Sequence, residues 1–431
     1  MKKASVTDAA FAALTEFAAV SLPAVVQKET FLLRSSSSSG IVKTGEKVLF
    51  TLAGTVPEDT AYFLVKKYVN GMLKSEKTVP AENFPPVVMR GRGPGSLTVT
   101  LRRLDKAKNL IPGTDVVGDG VLVDPEKLRP ARKRPADFEE FWTKNLSLLA
   151  KVPMNVKRKK VPLPPEEAKE LLCEDVRIES LGEVPVTGYL VMPKKAEKKS
   201  LPAIVCYHGA GCKSCVKQIE FGRNAIVLDA NAHGLENGRE KEYYLELNKR
   251  LDPVLRNRDS LKNSYLKFLF LRTVRALDFV RSLPEWDGKN LIVFGRSQGG
   301  SQSLAAAALC KEVTLCVSNV PALGDHAGKL VRRQPGWPVL NGRAGERIRK
   351  VSDYVDIVNL ASLVRAPVYL SAGLMDLICP PTSIALAKNQ MKKGVCREFR
   401  LFPCMGHHAP GKDDRSDMIL ALCRKTKGKR S

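Results

Sequence analysis

No stretch of about 18 uninterrupted apolar residues occurs in this 431-residue chain, which excludes a membrane-spanning helix. No cysteine precedes Cys173, and Cys206, Cys310 and Cys316 sit inside apolar runs, where a free thiol behaves as a small hydrophobe. Cys212 and Cys215 have redox-type spacing, but no second pair completes a zinc site. Neither a disulfide framework nor a metal centre is expected, and this thiol usage suits a reducing, cytoplasmic setting. A secreted or periplasmic location stays open, because Met1-Lys2-Lys3 could begin a signal peptide. The apolar region that would follow, from Ala9 to Val26, is broken by Glu16 and preceded by Asp8, so residues 1–28 are read as a lead-in.

Aromatic residues are also scarce, at 6%, and are not interleaved with the basic runs as nucleic-acid surfaces require. The chain is nevertheless strongly basic, with 70 Lys and Arg against 45 Asp and Glu, a formal charge of +25. The excess is dispersed. Lys157-Arg158-Lys159-Lys160 and the end of the chain, 425–431, are its densest runs, the first read as a solvated surface and the second as a basic tail. With 44% hydrophobic and 27% charged residues, the composition is that of an ordinary globular protein of two domains or so.

Residues 29–128 alternate polar and apolar positions in short stretches separated by turn chemistry, with Asn70-Gly71 marking a tight hairpin. An all-β domain follows, expected as a small immunoglobulin-like sandwich. A basic, proline-bounded stretch around Arg129 to Pro135 forms the boundary, after which Asp137 can cap a helix carrying Phe138, Phe141 and Trp142. Beyond Leu201, wholly apolar runs such as PAIVCYHG and NLIVFG alternate with amphipathic helices. That pattern predicts a doubly wound, mostly parallel sheet covered on both faces, an α/β domain over 129–424.

The run Leu291 to Phe294 leads directly into Gly295-Arg296-Ser297-Gln298-Gly299 and then a small-residue helix, the strand–turn–helix setting that makes G-x-S-x-G a nucleophile elbow. Glycines two before and two after leave room for so sharp a turn. A serine needs a base, and the base an orienting carboxylate, in the chain order Ser, acid, His. Asp376 follows the strand-like PVYLSAG, and is preferred to Asp353 and Asp356, which precede that strand. Only five histidines are available. His208, His233 and His326 fall on the wrong elements, and of the adjacent His407 and His408 the first is preferred because it follows Gly406 at a tight turn. The oxyanion hole is expected from the backbone N–H groups of Gln298 and of Ala210, which lies in the loop after PAIVCY; His208 is expected to brace that loop.

With these residues, the sequence resembles the acetyl xylan esterase and cephalosporin C deacetylase family of carbohydrate esterases, within the α/β-hydrolase superfamily. The resemblance runs from about Pro130 to Leu420, through RPADFEEFW, the block YLKFLFLRTVRALDFVRSLPEWDGKNLIVFGRSQGG, SNVPALGDH, GLMDLICPPTS and GHH. It implies an esterase removing small acyl groups, chiefly acetyl, from sugars or related compounds, with the triad on Ser297, Asp376 and His407 and no cofactor. It also implies family members that often form ring-like assemblies, which leaves a homo-oligomer open. This sequence departs from the family where Arg296 replaces a glycine before the serine, where Ala210 replaces a tyrosine, and where His408 stands in for a glutamate. Rival expectations are a peptidase or lactone hydrolase on the same fold, or a catalytically silent glycan-binding protein.

Overall fold

The computed structural model describes residues 30–250, 253–340, 345–407 and 415–428. The lead-in 1–28, His408 and the last three residues lie outside them.

Eight strands come first. β1 (Phe31–Ser35), β3 (Lys47–Gly54) and β6 (Val87–Arg90) form one antiparallel sheet, and a second, five-stranded sheet holds the others. Its order is β2 (Ile41–Val42), β8 (Val117–Val123), β7 (Gly95–Leu104), β4 (Tyr62–Val69) and β5 (Met72–Pro80). Phe31, Phe50, Phe63, Val99 and Val121 fill the space between the two sheets. Asn70 and Gly71 turn β4 into β5 with φ of 54° and 73°, the left-handed pair that a two-residue hairpin needs.

The remaining nine strands make one sheet. β9 (Lys157–Lys160), β10 (Leu171–Ile178) and β11 (Val186–Pro193) pair antiparallel, and β11 joins β13 (Ile226–Ala230) in the same sense. From there β12 (Leu201–Tyr207), β14 (Trp286–Arg296), β15 (Leu315–Asn319), β16 (Val368–Gly373) and β17 (Cys396–Phe402) continue in parallel. Alternate residues of β12 go to opposite faces. Ala203, Val205 and Tyr207 join the main core with the helices α1 (Phe138–Ala150), α2 (Tyr265–Ser282) and α3 (Gln298–Leu309). Ile204 and Cys206 face the other way, against Phe221 and against Ile419 and Cys423 of the last helix, Ser416–Gly428. Both faces are covered, which is why the strands read as continuous apolar runs.

Two expectations change on contact with the structure, and a third gains a place. The Asp137 side chain does not cap α1; it accepts a 2.5 Å hydrogen bond from the Tyr354 hydroxyl, because the helix is pinned sideways, with Trp142 Nε1 donating to the Tyr354 carbonyl. The basic run at Lys157 is exposed throughout, as a solvated surface should be, and is the outermost strand β9, with Arg158 paired to Glu174 at 2.5 Å on β10. The last helix runs on through residues 425–428, part of the stretch read as tail.

Chain order reverses at the middle of the sheet: β13 lies on one side of β12 and β14 on the other. At such a switch point the loops leaving the strand ends diverge and open a crevice. Ser297 follows β14 there, and His208 to Ala210 follow β12.

Candidate active site

Ser297 sits between β14 and α3 with φ 58° and ψ −122°, a conformation that costs a non-glycine residue about 1–3 kcal/mol and persists only where the surroundings enforce it. They do. A Cβ on Gly299 would lie 1.9 Å from the Tyr207 carbonyl oxygen, and one on Gly295 2.4 Å from that of Gly299. The Ser297 N–H donates to Asn319 O at 2.9 Å, and its own carbonyl accepts from Ser301 and Ala322. The elbow is thus wedged between β12 and β15, with its side chain left partly exposed.

Asp376 stands just past the end of β16, and His407 five residues past the end of β17. The structure brings the three side chains together. His407 Nε2 lies 2.8 Å from Ser297 Oγ, and Nδ1 lies 2.8 Å from Asp376 Oδ2. The other Asp376 oxygen accepts from the N–H groups of Ile378 and Cys379, both at 2.8 Å, so the carboxylate is fixed at both ends. Burial pushes the His407 imidazole toward neutrality, but the adjacent Asp376 charge outweighs it and holds the pKa well above the usual histidine value.

The acid and base loops touch through backbone. Leu374 N–H donates to Phe402 O and Met375 N–H to Met405 O, both at 3.0 Å. Gly373 permits this approach, since a Cβ there would lie 2.2 Å from Gly406 O.

Gln298 is the first residue of α3, whose leading N–H groups have no acceptor within the helix and point toward the space above Ser297. Across from it, Gly209 brings the β12 loop against the serine: its Cβ position would be 3.7 Å from Ser297 Cβ and 3.9 Å from Lys213 Nζ. Ala210 is the next residue. His208 braces this loop from within, Nδ1 at 2.6 Å from Gly209 O and Nε2 accepting from Ala232 N–H at 3.2 Å. Those bonds fix one neutral tautomer, and burial beside Lys213 holds the pKa down at about 3.

The other candidates serve the scaffold. Asp356 accepts from the N–H groups of Asp325, His326 and Val358, and Asp353 pairs with Arg132 at 2.9 Å. Burial raises both carboxyls to about 6. His233 Nδ1 meets the Tyr265 hydroxyl at 2.5 Å. His408 lies outside the described residues.

Two neighbours of the site were not assigned from the residues alone. Arg296 Nη2 donates to the His407 carbonyl at 2.6 Å. Cys379 is buried beside His407, and with Asp376 the three place one donor atom each within 4.8 Å of one another, a set that could hold a metal ion. The block GLMDLICPPTS was visible in the sequence, but nothing in it signals that the thiol faces the imidazole.

A mostly parallel sheet with a serine on a strained strand-to-helix turn at its switch point defines an α/β-hydrolase. Residues 121–422 match the acetyl xylan esterase (AXE1) family. The chain is 36% identical over 307 residues to the acetyl esterase Axe7A of Xylanibacter ruminicola, covering 68% of each chain. Its fold is similar to that of the acetyl xylan esterase from Paenibacillus sp. R4, at a TM-score of 0.59 and 24% identity over 70% of this chain and 98% of that one. It is also similar to acetyl xylan esterase 1 from Thermoanaerobacterium sp. JW/SL YS485, at 0.56 and 22% over 69% and 97%. The chain belongs to the acetyl xylan esterase family of carboxylic ester hydrolases.

Proposed function

We propose that this protein is a serine carboxylesterase that removes acetyl groups from acetylated sugars or related small esters through an acyl-enzyme. The observation that carries this reading is the unbroken hydrogen-bond relay from Ser297 Oγ through His407 to Asp376, each link 2.8 Å. His407 Nε2 takes the serine proton as Oγ attacks the acetyl carbonyl, and returns it to the departing sugar oxygen; Asp376 keeps Nδ1 protonated and stabilises the imidazolium. The backbone N–H groups of Gln298 and Ala210 receive the developing oxyanion. Water, deprotonated by the same imidazole, then attacks acetyl-Ser297 and releases acetate.

Residues 29–128 are read as an immunoglobulin-like sandwich and 129–424 as the hydrolase domain, in a cytoplasmic protein in which self-assembly is open to measurement by sedimentation. The function is tested by an acetate-release screen over acetylated xylo-oligosaccharides, acetylated monosaccharides and cephalosporin-like acetates, each against Ser297→Ala. Turnover of acetylated sugars that disappears in the variant is expected; faster cleavage of peptide amides, or equal rates in the two proteins, would sink it.

A further inference from the structure

The family match begins at residue 121, yet the loops carrying the acid and the base rest on residues that come before it. Asp119 of β8 is the centre of this contact. Its carboxylate is buried to 1% exposure, and accepts three backbone N–H groups: Ser35 at 2.8 Å on Oδ2, and Gly120 at 2.8 Å with Cys404 at 3.0 Å on Oδ1. Among the described residues no cation lies within ion-pairing distance of it. Cys404, three residues before His407, is held a second time by its thiol, which donates to Leu33 O of β1 at 3.2 Å. Its φ of 56° is a left-handed conformation that an L-residue keeps only when both flanks are anchored.

The acid loop is seated on the same domain. The Thr98 hydroxyl of β7 donates to Leu374 O at 3.3 Å, two residues before Asp376. Gly120 allows that carbonyl to approach, since a Cβ there would lie 2.1 Å from it, and Gly40 makes room for the Leu374 side chain in the same way. The amino-terminal domain therefore meets both loops at once, the acid loop at Thr98 and Gly120 and the base loop at Asp119 and Leu33, and the loops meet each other through Met375 and Met405.

We propose that the amino-terminal β domain is part of the esterase site, and that Asp119 is a positioning residue that sets the His407 loop against Ser297. A free loop reaching from β17 to His407 would sample many orientations, and proton transfer needs the imidazole within hydrogen-bond reach of the serine. A fixed carboxylate collecting N–H groups from β1, β8 and the base loop removes that freedom without touching substrate. This inference rests on the role proposed for His407.

The test compares Asp119→Asn, Thr98→Val and Val48→Ala in the full-length protein. Asparagine keeps the size of the side chain but turns one of the two accepting oxygens into a donor. Thr98→Val removes only the bond to Leu374 and should fold even if Asp119→Asn does not. Val48 is a fully buried core residue of the same domain, and its truncation serves as a control for lost stability. Turnover of p-nitrophenyl acetate, the thermal midpoint and hydrogen exchange of the segment 396–407 are measured for each.

For Asp119→Asn, kcat is expected to fall at least tenfold with KM within twofold of the parent, and exchange in 396–407 to rise. Thr98→Val should lose two- to fivefold in kcat at an unchanged midpoint, and Val48→Ala should keep kcat despite a lower midpoint. Parent-like kcat in both folded interface variants, or a kcat loss that follows the thermal midpoint alike in all three, overturns the proposal. If Ser297→Ala is as active as the parent, the proposed function fails instead; unchanged exchange of 396–407 in Asp119→Asn would then overturn the positioning role independently.

Discussion

The guanidinium of Arg296 reaches past Ser297, which follows it in the chain, and donates to the backbone carbonyl of His407 at 2.6 Å. The residue that departs from the glycine common at this place in the resembling family thus ties the elbow to the base loop. Its length and its directed N–H groups suit that task.

A charge-assisted hydrogen bond of this kind contributes about 1.5–3 kcal/mol. Arg296→Met is expected to lower kcat roughly tenfold or more while the protein stays folded, and Arg296→Lys to recover part of the loss. Steady-state kinetics with p-nitrophenyl acetate, beside a thermal melt, measure both. A parent-like kcat in Arg296→Met would show that the base loop needs no such tie.

Removing the nucleophile or misdirecting the imidazole should be far more severe. Ser297→Ala is expected to lose on the order of 10⁴-fold or more in kcat. Asp376→Asn keeps the shape but favours the wrong tautomer, and a loss of roughly 10⁴-fold is expected. Mass spectrometry after brief exposure to an acetyl ester should find an acetyl group on the parent, and none at Ser297→Ala.

The pH profile follows from the sign of the shift at His407. Asp376 raises the imidazole pKa well above its ordinary value, so the protonated, inactive form persists to higher pH than for a free histidine. The acid limb of kcat/KM should therefore lie above pH 6.5, with activity rising through it. In Asp376→Asn the limb should move to lower pH as the rate falls. A limb below pH 6 in the parent would contradict this.

Gly299→Ala would drive a methyl carbon to within 1.9 Å of the Tyr207 carbonyl, and the strands that hold the elbow have no freedom to retreat. A destabilisation of about 3 kcal/mol or more is expected, seen as a large drop in the thermal midpoint. Gly93→Ala provides the contrast, because nothing lies within 4 Å of its Cβ position and its backbone is not left-handed.

Much of the hydrolase fold was legible because strands buried on both faces must be apolar throughout, as in PAIVCY and NLIVF. The positions of Ser297, Asp376 and His407 followed from motif and chain order, since the elbow's glycines and the loops after β16 and β17 are local features. What could not be read depends on contacts between residues far apart in the chain. Arg296 meets a carbonyl 111 residues away, and Asp119 an N–H 285 residues away; neither leaves a period or a motif. Asp137 illustrates the converse. Its local pattern is that of a helix cap, but a tyrosine more than 200 residues later claims the carboxylate.

The strand β9 gives part of the surplus positive charge a place. Its four residues are all Lys or Arg, all exposed, and they form the outer rim of a nine-stranded sheet whose last row of backbone groups has no neighbouring strand among the described residues. Such a rim invites another chain to extend the sheet. Two molecules approaching edge to edge would press their cations together in low-dielectric contact, so the sheet repels its own continuation into a fibre. High salt should weaken that guard, making aggregation of this protein a function of ionic strength before it is a function of heat.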